Sequence, residues 1–208
     1  MTTSADRPLR IDAARNADRI LRAARDIYAE LGPDAPIDAI AERAGVGERT
    51  LYRRFPSKAH LIRATLDQII DENISPAIEH AKRNPNPLAG LAGLIEAATA
   101  LGASEHHLLA AARRADVLTN ISKQLDEALS DLTVSAQRAG QVRQDLVAED
   151  LPRILSMLNS VLWTMDPSSG GWRRYVVLML DTISTSDRRE LPRAVPLQHP
   201  KHPEIWPI

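Results

Sequence analysis

The sequence predicts an all-α protein, and three observations predict it. Apolar residues recur at helical spacing along most of the chain, no stretch alternates with period two for long enough to form a sheet, and two short amphipathic segments meet at a glycine in the manner of a helix-turn-helix. The architecture expected is an N-terminal three-helix bundle that contains the helix-turn-helix, followed by a C-terminal helical domain.

Residues 1 to 13 are polar and carry Arg7, Pro8 and Arg10, which reads as a flexible basic arm. Helix one follows, with Ile20, Leu21, Ala24, Ile27, Tyr28 and Leu31 on one stripe and Gly32-Pro33 ending it. Ile37, Ile40, Ala41 and Ala44 fall at i, i+3, i+4 and i+7, one face of a two-turn helix, and Gly45 stands where a left-handed C-cap costs least. From Gly47 to Phe55 a third helix turns Leu51 and Phe55 inward and leaves Glu48, Arg49, Thr50, Tyr52 and Arg53 outward. That outward set supplies guanidinium and hydroxyl donors suited to base edges and phosphates.

Ser57 can cap a longer helix striped by Leu61, Ile62, Thr65, Leu66, Ile69 and Ile70 and reaching about Asn73. Pro76 and the turn Asn84-Pro85-Asn86-Pro87 break it, and Leu88 to Leu101 resumes as a helix closed by Gly102-Ala103-Ser104. Helices over Glu105 to Leu118 and Ile121 to Ala139 come next, and Gly140 stops the second. Asp145, Glu149 and Asp150 read as carboxylates favoured at a helix N-terminus.

Leu151, Ile154, Leu155, Leu158, Val161, Leu162 and Met165 then make one stripe over four turns. The last helix, Trp172 to Ser184, has an inner face of Trp172, Tyr175, Val176, Met179, Leu180 and Ile183, yet Val177 and Leu178 make its flanks apolar too. A helix apolar most of the way round is buried on two sides, one by its own core and the other by a second molecule. The tail from residue 187 has five prolines and cannot form a regular helix. The expected divisions are therefore an arm over 1–13, a head over 14–56, a helical body over 57–186 and a proline-rich tail over 187–208.

Composition bounds the function. Net charge is −1, which argues against a uniformly basic nucleic-acid coat protein, but residues 1–60 hold 11 Lys+Arg against 9 Asp+Glu, leaving 15 against 18 for the remainder. A slightly basic head on an acidic body suits DNA binding without proving it. The chain has no cysteine, which removes disulfides, thiol nucleophiles and cysteine-based zinc sites and fits a cytoplasmic setting. No signal-like N-terminus and no apolar run near the length of a membrane span is read, so no membrane partner is expected.

The residues Ile40-Ala41-x-x-Ala44-Gly45-Val46 and Thr50-Leu51-Tyr52-Arg53-x-Phe55-Pro56-Ser57-Lys58-x-x-Leu61 resemble the tetracycline-repressor (TetR) family over roughly the first third of the chain. Gly47 stands where a Ser or Thr usually caps the recognition helix, Arg49 where Gly is common, and Pro36 where a hydroxyl cap is usual. Exchanging such a cap for Gly costs only about a few tenths of a kcal/mol. The resemblance implies that Tyr52 and Lys58 hold phosphates, that Thr50 meets a phosphate or a base, and that Gly47, Glu48, Arg49 and Arg53 lie nearest base edges. The plain alternative for these residues is a solvated helix face. Arg54 is as well suited to pair with an acid on helix one.

The resemblance further implies a homodimeric regulator, a repressor, whose last two helices pack against those of a partner and whose body binds a small-molecule effector. Two heads on a two-fold axis would read a palindromic operator in double-stranded DNA. Candidate ligand contacts are Ser156, Asn159 and Trp163 on the penultimate helix and His107 and Arg114 earlier, with surface or dimer contact as the alternative for each. With one Phe and three Trp in the chain, the pocket is expected to be aliphatic with a few polar anchors.

No cofactor and no metal are expected. His106 and His107 are adjacent, so their side chains point about 100° apart on a helix and cannot share an ion. His199 and His202 sit in the tail, no glycine pattern cradles a phosphate, and nothing resembles a nucleophile elbow. An enzyme is therefore not expected. The rival is a helical carrier or enzyme on the same scaffold without operator binding, against which the intact Thr50-Leu51-Tyr52-Arg53 and Lys58 speak.

Overall fold

The computed structural model describes residues 6–117 and 123–184, with side chains from residue 15 onward. The expected tail over 187–208, the side chains of Arg7 and Arg10, and Ile121 lie outside the described residues. Among those described there are nine α-helices and no strand: α1 Asp6–Leu31, α2 Ile37–Arg43, α3 Glu48–Arg54, α4 Lys58–Lys82, α5 Pro87–Ser104, α6 His106–Arg114, α7 Lys123–Arg138, α8 Asp150–Val161 and α9 Arg173–Ile183. The all-α class is as the sequence predicts.

The chain divides into two compact units. The first takes the chain as far as Gln68 together with α6 from His107, and the second takes Ile69–His106 and the rest. Residue 56, the expected end of the head, lies in the turn between α3 and α4, and the first unit continues into α4 as far as Gln68. Helix α1 begins at Asp6, well inside the segment read as an arm. Pro8 lies in its first turn, where no hydrogen bond is lost, and the alanines that follow favour helix.

In the first unit Ile20, Ala24, Ile27 and Tyr28 of α1 are buried with Ile40, Ala41 and Ala44 of the α2 segment, Leu51 and Phe55, and Leu61, Ile62 and Leu66 of α4. Leu31, read as part of the α1 stripe, is exposed at the helix end. Helix α2 is tied to α1 by Arg43, whose guanidinium donates to both carboxylate oxygens of Glu30 at 2.9 and 2.6 Å. Its hydrogen bond holds the Glu30 carboxyl below the usual carboxylate range.

In the second unit α5 lies among α7, α8 and α9. Its buried face is Gly90, Leu91, Leu94, Ile95, Thr99 and Gly102. Asn86 caps it, its side chain accepting from Ala89 N at 3.1 Å, and the Gln141 side-chain oxygen accepts from Leu88 N at 3.2 Å. By length and composition α5 could cross a membrane, contrary to the sequence expectation that no run is long and apolar enough. Its buried face is spent on the core of this unit.

Two expected breaks are absent. Helix α4 continues through Pro76, which is exposed, so that water can replace the bond its nitrogen cannot give. Helix α5 continues through Gly102, because that glycine admits a neighbour: a Cβ there would overlap the Asn159 side-chain oxygen. Two other helices end early. Helix α6 stops at Arg114, and α8 passes at Leu162 into a 3-10 turn, Leu162–Thr164. Asp150 opens α8 and accepts from Val147 N at 3.1 Å, whereas Asp145 pairs instead with Arg143 at 2.6 Å.

Gly90 marks the tightest backbone approach. A Cβ at this position would stand 2.6 Å from the Ala81 carbonyl oxygen and 3.4 Å from Leu132 Cδ2. Gly90→Ala is expected to destabilise the protein by about 1–3 kcal/mol through overpacking, despite the gain of up to about 1 kcal/mol in helix propensity. Urea unfolding reads this, and an unchanged midpoint would show that α4 and α5 separate without cost.

Candidate nucleic-acid interface

The recognition element is built by its turn. Gly45 has φ +64°, the left-handed conformation that suits glycine, and the chain around it closes α2 with Gly45 N donating to Glu42 O at 3.0 Å and Val46 N to Ala41 O at 3.0 Å. Gly47 then serves as N-cap of α3 in extended conformation without a side-chain bond, as expected from its lack of a hydroxyl, and Pro36 does the same for α2. Leu51, fully buried, and Phe55, nearly so, anchor α3 from beneath.

Everything else on α3 faces outward. Glu48, Arg49, Tyr52 and Arg53 are exposed and Thr50 is half-buried. Arg49, Tyr52 and Arg53 stand at i, i+3 and i+4, so two guanidiniums flank one phenol on a single stripe. Arg54 is exposed as well; among the described residues the arginine of the helix-turn-helix that pairs with acids on α1 is Arg43, with Glu30 and Asp26. Ser57 caps α4 as expected, its oxygen accepting from His60 N at 3.3 Å and meeting His60 Nδ1 at 2.8 Å.

Lys58, the first residue of α4, is half-buried with Nζ 5.9 Å from the centroid of the Tyr28 ring. This lies at the outer reach of a cation–π contact. Burial pushes the Tyr28 hydroxyl up to about 12, and its oxygen is buried without a hydrogen-bond partner. Tyr28, not expected from the motif, therefore belongs to the surroundings of Lys58; a phenol near the end of an otherwise aliphatic stripe was the one signal available.

The candidate ligand residues fall into two groups. His107 and Arg114 belong to the first unit. The His107 ring nitrogen Nδ1 comes within 3.9 Å of a Cβ built on Gly32, and Arg114 donates to Asp34 in the loop after α1. Ser156, Asn159 and Trp163 belong to the second unit. Ser156 is exposed and donates to Pro152 O of its own helix at 2.9 Å. Trp163 is 64% exposed and meets His106 edge-on at 6.3 Å. Asn159 points a buried oxygen without a partner toward Gly102. Among the described residues no group of three or more metal-ligating side chains occurs.

The comparisons fit this geometry. A family model described as bacterial regulatory proteins, tetR family, matches residues 20–65, and one described as transcriptional regulator SbtR-like, C-terminal domain, matches residues 88–182. No match is found among curated proteins. Among solved structures, a TetR transcription regulatory protein from Mycobacterium vanbaalenii is 27% identical, over 86% of this chain and 100% of that one, with TM-score 0.59. A TetR-family regulator from Agrobacterium tumefaciens is 18% identical, over 83% and 99%, with TM-score 0.66. The transcriptional regulator FadR from Bacillus subtilis, in complex with stearoyl-CoA, is 18% identical, over 79% and 98%, with TM-score 0.64. With one family model on the helix-turn-helix and the other on the helices that follow, the chain belongs to the TetR family of DNA-binding transcriptional regulators.

Proposed function

We propose that the protein is a homodimeric repressor that binds a palindromic operator and is released by a small-molecule effector. The observation that carries this reading is the stripe of Arg49, Tyr52 and Arg53 raised on the buried Leu51. Phosphate donors give register and affinity; guanidiniums at the start of a helix in the major groove read bases. Two such heads related by a dimer axis would sit near one helical turn apart, about 34–36 Å, or a multiple of it.

Support for a dimer comes from the second unit, whose exposed large apolar side chains, Val134, Met157, Trp163, Tyr175, Val177 and Leu178, all lie on α7, α8, α9 or the turn after α8. A fold-mate that holds stearoyl-CoA supports an effector site in the body. Asn159 is the polar anchor we favour there, since its buried oxygen lacks a partner, with Ser156 and Trp163 of the same unit as secondary candidates; His107 and Arg114 are candidates within the first unit alone. Such an effector lowers operator affinity by its differential affinity for the two conformations and by no more.

The experiment is anisotropy with duplexes from the flanks of the protein's own gene against a scrambled competitor. No preference over the scrambled duplex would overturn the reading in favour of a carrier without an operator. Within it, Lys58→Ala and Tyr52→Phe are expected to weaken specific and non-specific binding alike, while Arg49→Ala relaxes preference at one operator position by about 1–3 kcal/mol. A panel of operator variants ranked identically by Arg49→Ala and wild type would leave Arg53 and Glu48 as the readers.

A further inference from the structure

We propose that α9 packs against α9 of a second copy of the chain in antiparallel register, about a two-fold axis between Val177 and Leu178, so that Arg174 of each copy pairs with Asp181 of the other. This rests on the reading of the protein as a dimer and adds which charges fix its register.

The pattern lies on the side of α9 turned away from the core. Trp172, Val176 and Ile183 are buried, whereas Arg174, Val177, Leu178 and Asp181 are exposed. At about 100° per residue, Arg174 and Asp181 stand only about 20° apart around the helix axis, with Val177 and Leu178 to either side of the line that joins them. The exposed stripe therefore reads cation, two apolar residues, anion, at i, i+3, i+4 and i+7. Its neighbours are spent within the chain. Arg173 donates Nε to Glu96 Oε1 at 3.2 Å and holds its guanidinium carbon 4.4 Å from the centroid of the Trp172 ring, and Thr182 donates its hydroxyl to Leu178 O at 2.8 Å.

A stripe with opposite charges at its two ends is complementary to itself when reversed. Arg174 and Asp181 lie about 10.5 Å apart along the helix, and their midpoint falls between Val177 and Leu178. A two-fold axis at that point sets Val177 against Leu178 and Arg174 against Asp181, each pairing occurring twice. Sliding one helix by a turn would set Asp181 against Leu178 or Arg174 against Val177, which desolvates a charge without a partner. A parallel alignment would bring like charges together. The apolar pair thus supplies affinity, and the charges at its ends select one register.

Sedimentation equilibrium of the full-length protein reads the self-association constant. Arg174→Asp and Asp181→Arg should each weaken the homodimer roughly tenfold or more, because each turns two attractions into two repulsions. Combined in one chain, the two substitutions should restore the dimer. An equimolar mixture of the single variants should form a heterodimer near wild-type affinity, since each supplies the charge the other lacks; native mass spectrometry identifies it when one variant carries a tag. Weakening without rescue, in the combined variant or in the mixture, would show that these charges serve the fold of their own chain. Single variants that dimerise like wild type would show a different register. Either result overturns the proposal. If Val177→Arg leaves the dimer intact, this face is not the interface and the dimer reading on which the proposal rests fails first.

Discussion

Leu178→Arg is expected to leave the chain monomeric at micromolar concentration, and Val177→Arg to do the same. Both side chains are about half exposed in the single chain, at 49% and 56%, while Trp172, Val176 and Ile183 on the opposite side of α9 are buried. Nothing in the core of the chain is lost by either substitution, so the folded protomer should keep its thermal stability. A two-fold interface carries each substitution twice, and an unpaired charge buried there costs about 3–5 kcal/mol per copy. Sedimentation velocity gives the answer. A wild type that already sediments as a monomer would refute a dimer built on this face. Operator affinity should fall with the dimer, because the two heads then bind independently and lose their mutual effective concentration.

Leu51→Ala is expected to abolish DNA binding at physiological temperature by unfolding α3, with a loss of about 2–5 kcal/mol in stability. Leu51 is fully buried and is the one residue of α3 that is. A seven-residue helix cannot persist by itself, so its order depends on that anchor together with Phe55. Hydrogen exchange localised to residues 48–54, alongside a thermal scan, measures the effect. Arg49→Ala is the matched control, since an exposed side chain on the same helix should change binding without changing exchange. Retained binding with unchanged protection in Leu51→Ala would mean that α3 is held by something other than its buried face.

The helix-turn-helix was legible in the sequence because every determinant of it is local. Ile37 to Ala44 announces one turn-by-turn stripe, Gly45 meets the left-handed backbone its position requires, and Leu51 and Phe55 face inward by spacing alone. The same holds for the apolar outer side of α9, where Val177 and Leu178 could be counted before any fold was known. Where α4 and α5 end could not be read in this way. Pro76 is tolerated because its side of α4 is wet, and Gly102 is a point of approach for Asn159 rather than a stop, so what decides each is the presence or absence of a neighbour remote in sequence.

Arg114 shows the same limit at the level of function. From sequence it was a candidate ligand contact, grouped with His107, Ser156, Asn159 and Trp163 on the strength of helix position. Its partner, Asp34, lies 80 residues earlier, and only the folded chain puts the carboxylate within reach. Periodicity determines which side of a helix is apolar and which residue types it presents to water, and so it determined the fold class and the set exposed on α3. Which polar residue meets which depends on the packing of elements distant in sequence, and that was decided by the tertiary structure alone.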